Sequence, residues 1–158
     1  MSEVFAGKRR TITFSKSMTE ALVAGRKTQT RRLAMRIPGK TRYRNQDKTP
    51  KPSIWQQATP GDVLLCCVSP YQPPFARALL LEHRIEPLNA LTDEGAMAEG
   101  IMAVGDRFSA SETNRHLFAP TPIEAFRLLW ESLHGSGSWE RNPRVVVLTF
   151  RMLPEDAE

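Results

Sequence analysis

Apolar residues in this chain come in short runs closed by proline or glycine, and that punctuation limits the fold to short elements. Thr11-Ile12-Thr13-Phe14 is β-branched and aromatic and predicts a short strand. Pro60-Gly61-Asp62 is a turn signal, and Val63 to Val68 after it predicts a buried strand. Ala76 to Ile85 predicts a longer strand with Leu79 and Leu81 on one face. Arg144 to Met152 predicts the last strand, centred on the buried run Val145-Val146-Val147-Leu148. Helices fall between these strands. Ser17, with Glu20 three residues on, predicts a capped start for a helix with Met18, Ala21 and Leu22 as its apolar stripe and Gly25 as its stop. Leu91 to Gly100 holds a short helix, with Thr92 as its cap and Asp93 and Glu94 at its positive end. Thr121 caps the clearest helix, where Pro122 takes the first helical position and Glu124 completes a capping box. Ile123, Phe126, Trp130 and Leu133 form its stripe and Gly135 ends it, whereas residues 101–120 show no strong periodicity. Strands outnumber helices, the connections are irregular, and no repeat is present. The class is α+β, and a small mixed barrel fits better than a βαβ array.

The 158 residues fit one domain, 1–158, and the 41% hydrophobic and 25% charged composition is that of a soluble globular protein. No run approaches the length of a transmembrane helix. Met1 to Arg10 lacks the apolar run of a signal peptide, so a cytoplasmic location and no membrane partner are expected. Cys66 and Cys67 are adjacent, point to opposite faces of a strand, and read as two small apolar residues in a reducing compartment. His83, His116 and His134 have no ligand-like spacing, so no metal site is assigned.

The formal charge is +5, a weak lean towards anionic partners, but its distribution is uneven. Residues 31–53 carry Arg31, Arg32, Arg36, Lys40, Arg42, Arg44, Lys48 and Lys51 against one acid, Asp47. Pro38, Gly39, Pro50 and Pro52 break any long element, so this stretch reads as a basic loop with at most one short helical or strand piece. Its cations suit a phosphate backbone, and Tyr43 and Trp55 are its stacking candidates. Trp130 falls on an apolar stripe and reads as core.

Gly25-Arg26-Lys27-Thr28-Gln29-Thr30-Arg31-Arg32 is the sharpest segment. Four cations alternate with hydroxyls and an amide, groups that bind phosphates and bases. Arg26, Arg31 and Arg32 oppose protonation of Lys27 and move it towards the range of a general base. The same composition also describes a solvated strand edge that discourages aggregation, and the residues alone leave both readings open.

This segment resembles the signature of the ASCH domain, and further pieces follow in the family's order. They are Pro60-Gly61-Asp62-Val63-Leu64, the helix from Leu91 to Ile101, Phe126-Arg127-Leu128-Leu129-Trp130, and Trp139-Glu140-Arg141-Asn142-Pro143 before the last strand. The resemblance spans about residues 10–152. It implies a PUA-like mixed β-barrel flanked by a few helices, with a cleft that takes single-stranded RNA or a cytidine-type nucleoside. One activity it implies is magnesium-dependent cleavage of single-stranded RNA. A second is amide hydrolysis on N4-acetylcytidine-type nucleosides, and a third reading is a non-catalytic module that binds RNA or a modified base. For the amidohydrolases the resemblance assigns Lys27 as base, Thr30 as nucleophile and Glu99 as proton donor, with Arg32 beside them. Arg26, Thr28, Arg31, Arg32, Lys40, Arg42, Tyr43, Arg44, Lys48, Lys51 and Trp55 are the expected substrate contacts. No cofactor is required beyond Mg2+ for RNA cleavage. Larger phage-type relatives continue the Pro-Gly-Asp strand with tryptophan, arginine and glutamate, whereas this chain has Leu64-Leu65-Cys66-Cys67-Val68.

Overall fold

The computed structural model describes residues 5–36 and 49–155. Nine strands and three α-helices follow one another along these residues. They are β1 (Arg9–Thr13), α1 (Lys16–Val23), β2 (Gln29–Leu33), β3 (Met35–Arg36), β4 (Lys51–Pro52), β5 (Val63–Cys67), β6 (Ala76–Pro87), α2 (Asp93–Ala98), β7 (Met102–Val104), β8 (Arg107–Ser109), α3 (Pro122–His134) and β9 (Arg144–Met152). Five strands make the main sheet, in the order β1-β5-β6-β9-β2. Only the β1/β5 pair is parallel. Val145 to Leu148 run through the middle of the sheet and are fully buried, which a near-continuous apolar run requires.

The hydrogen-bonded ladder has two ends, β1 and β2. A side chain joins them: Arg32 Nη2 of β2 donates to the Thr13 carbonyl of β1 at 2.8 Å. The edge between these strands is therefore a seam closed by a guanidinium and not by backbone pairing.

Asp62 fixes the turn before β5. Its carboxylate accepts from Arg10 Nε at 2.6 Å, from the Thr59 N–H at 3.0 Å and from the Lys8 N–H at 3.1 Å. Gly7 is required beside it, because a Cβ there would lie 1.9 Å from the Gly61 carbonyl oxygen.

The helix ends follow side-chain chemistry. Thr121 Oγ1 accepts from the Glu124 N–H, Thr92 Oγ1 from the Gly95 N–H, and Gly135 closes α3 at φ 97°. Local competition changed other details. Ser15, not Ser17, caps α1 and accepts from the Met18 N–H. Ala78 and Leu80 face the core, while Leu81 is exposed, because the face is set by the β5 and β9 neighbours of β6 and its register shifts between Leu80 and Glu82. Residues 102–109 form the β7/β8 hairpin around Gly105 at φ 63°, a turn signal that outweighs the weak periodicity. The basic stretch begins as structure: Arg31 and Arg32 lie within β2, and Arg36 pairs with Lys51 in the β3/β4 hairpin. Lys40, Arg42, Tyr43, Arg44 and Lys48 lie outside the described residues.

Burial alone would raise the Asp62 pKa, but its bonds from Arg10, Thr59 and Lys8 outweigh that and hold it below the ordinary 3.8. A carboxyl depressed on folding stabilises fully above 3.8, and that contribution disappears as pH falls through the folded value. Asp62→Asn should cost roughly 1.5–3 kcal/mol near neutrality. In urea titrations across pH, the gap between wild type and variant should hold above about pH 5 and close in stronger acid.

Candidate active site

Lys27 reaches the interior because it precedes the strand. Gly25, at φ 80°, turns the chain out of α1, and the Arg26 and Lys27 N–H groups both donate to the Ala21 carbonyl. β2 starts only at Gln29, so strand alternation does not force Lys27 and Thr30 to opposite faces. The Thr28 N–H then donates to the Ala98 carbonyl at 2.8 Å and holds the end of α2 against this turn.

Glu99 caps the C-terminus of α2, where carbonyls lack partners and a carboxylate is disfavoured. Lys27 resolves both problems. Its Nζ donates to the Glu99 carbonyl at 2.9 Å and to Glu99 Oε2 at 2.6 Å. Arg31 takes the other carboxylate oxygen, with Nη1 at 3.4 Å from Oε1, and its Nη2 lies 3.4 Å from Glu86 Oε1. Lys27 and Glu99 are 2% and 3% exposed, so water does not screen this pair. Gly100, at φ 107°, gives them room, because a Cβ there would stand 3.2 Å from the Ala21 Cβ and 3.6 Å from the Lys27 Cβ.

Thr30 is buried and its Oγ1 accepts from Arg32 Nε at 3.3 Å. The Arg32 guanidinium lies 5.1 Å from the Phe14 ring centre and 6.0 Å from that of Trp55. No carboxylate pairs with it among the described residues. Lys27 Nζ lies 5.9 Å from the Phe14 ring centre.

Burial is the largest influence on Lys27 and lowers its pKa below the ordinary 10.5. Glu99 raises it, and Arg32 and Arg31 lower it, with the net effect downward. The direction is the one expected from the sequence, but the main cause is desolvation, and Arg26 is exposed. His134 is also lowered from its ordinary 6.5, by burial and then by Arg32, so it is mainly neutral at pH 7.

These groups line one cavity of about 590 Å³ at the β1/β2 seam. Lys27, Thr30, Arg31, Arg32 and Glu99 supply its polar side, and Trp55 also lines it, as expected. Arg26 and Thr28 are exposed and do not line it, and neither does Lys51 on β4. Sequence reasoning missed Phe14, Arg36 and His134 as lining residues. It treated Trp130 as core, and Trp130 is both 2% exposed and part of the wall. The stripe of α3 was the available signal: Phe126 and Trp130 face inward as expected, whereas Leu133 is 62% exposed at the rim. Among the described residues no group of three His, Cys, Asp or Glu side chains converges as metal ligands do. Glu99, the carboxylate of this cavity, is already held by Lys27 and Arg31, so the residues present do not fit a magnesium site.

Glu99→Ala should leave the Lys27 cation buried and unpaired and cost about 3–5 kcal/mol. The double substitution Lys27→Met with Glu99→Leu should cost clearly less than the sum of the single substitutions. Equilibrium denaturation of all four proteins measures the coupling.

No family model and no curated protein matches the sequence. Solved structures do match the fold, and no helix among the described residues is long and apolar enough to cross a membrane. The crystal structure of hypothetical protein PH0355 superposes with a TM-score of 0.56 at 13% identity, over 92% of this chain and 99% of that one. The crystal structure of the ASCH domain from Lactobacillus crispatus JV V101 superposes with a TM-score of 0.50 at 12% identity, over 92% of this chain and 79% of that one. With its α+β order and mixed sheet, this chain has the fold of an ASCH domain.

Proposed function

We propose that this protein is an amidohydrolase acting on N4-acylated cytidine-type nucleosides. The observation that carries the reading is the buried 2.6 Å contact between Lys27 Nζ and Glu99 Oε2 in the same cavity as the Thr30 hydroxyl. A volume of about 590 Å³ suits one nucleoside-sized ligand.

The contact supplies both an acid and a base. Moving one proton along it converts ammonium and carboxylate into amine and carboxylic acid, and Lys27, whose ammonium is disfavoured by burial, is the group that yields the proton. The Lys27 amine accepts the Thr30 hydroxyl proton as Thr30 Oγ attacks the acyl carbon. The Glu99 carboxylic acid gives its proton to the departing N4 as the C–N bond breaks. The nucleoside leaves with an amino group, and the acyl group remains on Thr30 as an ester. A water attacks that ester, its proton returns to the Glu99 carboxylate, and the Lys27 ammonium reprotonates Thr30 Oγ. The free acid leaves and the pair is restored.

Purified protein should release cytidine from N4-acetylcytidine. Lys27→Met and Thr30→Val, verified as folded by circular dichroism, should lower kcat at least ~100-fold. An unaffected rate in either would remove that residue from the chemistry.

A second reading has one specific observation behind it. Arg36 and Lys51 are exposed cross-strand partners on the β3/β4 hairpin, and Arg36 reaches the cavity wall. Such a pair suits the backbone of a single-stranded RNA that feeds one nucleotide into the cavity. Fluorescence anisotropy with a short RNA should then give a log–log salt slope of about −0.7 per phosphate contacted. Arg36→Gln with Lys51→Gln should flatten it. Binding indifferent to salt would remove the hairpin from RNA contact. RNA cleavage has less behind it, because Glu99, the one carboxylate among the described residues of the cavity, is engaged by two cations.

A further inference from the structure

We infer that the α3 side of the cavity is a receptor for the apolar body of a carboxylic acid, so that an aryl-alkyl or branched acyl group is removed in preference to acetyl. The inference rests on the amidohydrolase reading for the word "removed"; the receptor itself rests on the geometry of the wall.

The cavity is divided by chemistry. Its acid–base groups come from the α1–β2 turn, β2 and the end of α2. The opposite wall is a helix face in which Phe126, Leu129, Trp130 and Leu133 follow helical spacing. These four carry no charge, and a pyrimidine with its sugar has polar edges that leave such a wall uncovered. Phe14 joins the two halves, within 5.9 Å of Lys27 Nζ and 5.1 Å of the Arg32 guanidinium. The apolar wall therefore begins where the scissile carbonyl must sit.

Two further features favour an acid with a large body. Arg32 has no carboxylate partner among the described residues, and a carboxylate product would supply one. Leu133 is 62% exposed and Ile54 59% exposed, and both line the same cavity. An acetyl methyl would leave most of this surface in water. Each additional methylene buried there strengthens binding about fourfold.

The test uses the full chain and two readouts. Binding of phenylacetate and of acetate is followed by tryptophan fluorescence, which does not depend on turnover. The kcat/KM values for N4-phenylacetylcytidine and N4-acetylcytidine are then compared. Phenylacetate should bind at least ~10-fold more tightly than acetate, and the phenylacetyl substrate should be preferred by a similar factor. Leu133→Asp, at an exposed position that folding tolerates, should remove most of both preferences. Equal binding of the two acids, or a preference unchanged in Leu133→Asp, overturns the receptor. If the acetyl compound is cleaved and no preference exists, the receptor falls while the amidohydrolase reading stands. If neither compound is cleaved but phenylacetate binds with the stated selectivity, lost in Leu133→Asp, the receptor stands and the amidohydrolase reading falls.

Discussion

Lys27 is only 2% exposed, and Glu99 is what makes its charge tolerable there. The reverse also holds, because a carboxylate at the negative end of α2 is stable only with cations against it. The two residues are 72 positions apart in the chain, and their contact fixes α2 against the turn that leads into β2. The Thr28 bond to Ala98 and the Lys27 bond to the Glu99 carbonyl extend the same junction through the backbone. Without the pair, the Glu99 carbonyl loses the Lys27 bond and the junction rests on the Thr28 bond to Ala98.

A mixed sheet left open between β1 and β2 provides the place for that pair. Backbone pairing across the seam would have filled it. Arg32 spans it instead, bonded to Thr13 on one side and to Thr30 on the same strand, with the rings of Phe14 and Trp55 close by. A rigid fork of donors does what strand pairing does elsewhere and keeps a charged group at the rim of the hollow. Stability and ligand access therefore meet in one residue.

Much of this was legible in the sequence, and the reasons can be named. The caps at Thr92 and Thr121 are local chemistry, so they read directly. The run Val145 to Leu148 could be buried only in a central strand. The grouping of Lys27, Thr30, Arg32 and Glu99 in one cavity was reachable through the resemblance and through the turn at Gly25. What could not be read depended on tertiary neighbours. The outward face of Leu81 is set by pairing with β9, and the choice of Ser15 over Ser17 is a competition between adjacent hydroxyls. The roles of Phe14 and Leu133 on the cavity wall depend on α3 and β1 lining one cavity, which no local pattern encodes. Desolvation, the main influence on Lys27, is likewise a property of the folded surroundings and not of the neighbouring arginines in the sequence.

The central claim is that burial of one lysine outweighs the carboxylate beside it and lowers its proton affinity. Heteronuclear NMR of the lysine side-chain nitrogens, titrated from neutral to alkaline pH and assigned by Lys27→Arg, measures this directly. The account predicts that the Lys27 resonance loses its proton below the ordinary 10.5. A Lys27 resonance that keeps its proton up to 10.5 or beyond would contradict it.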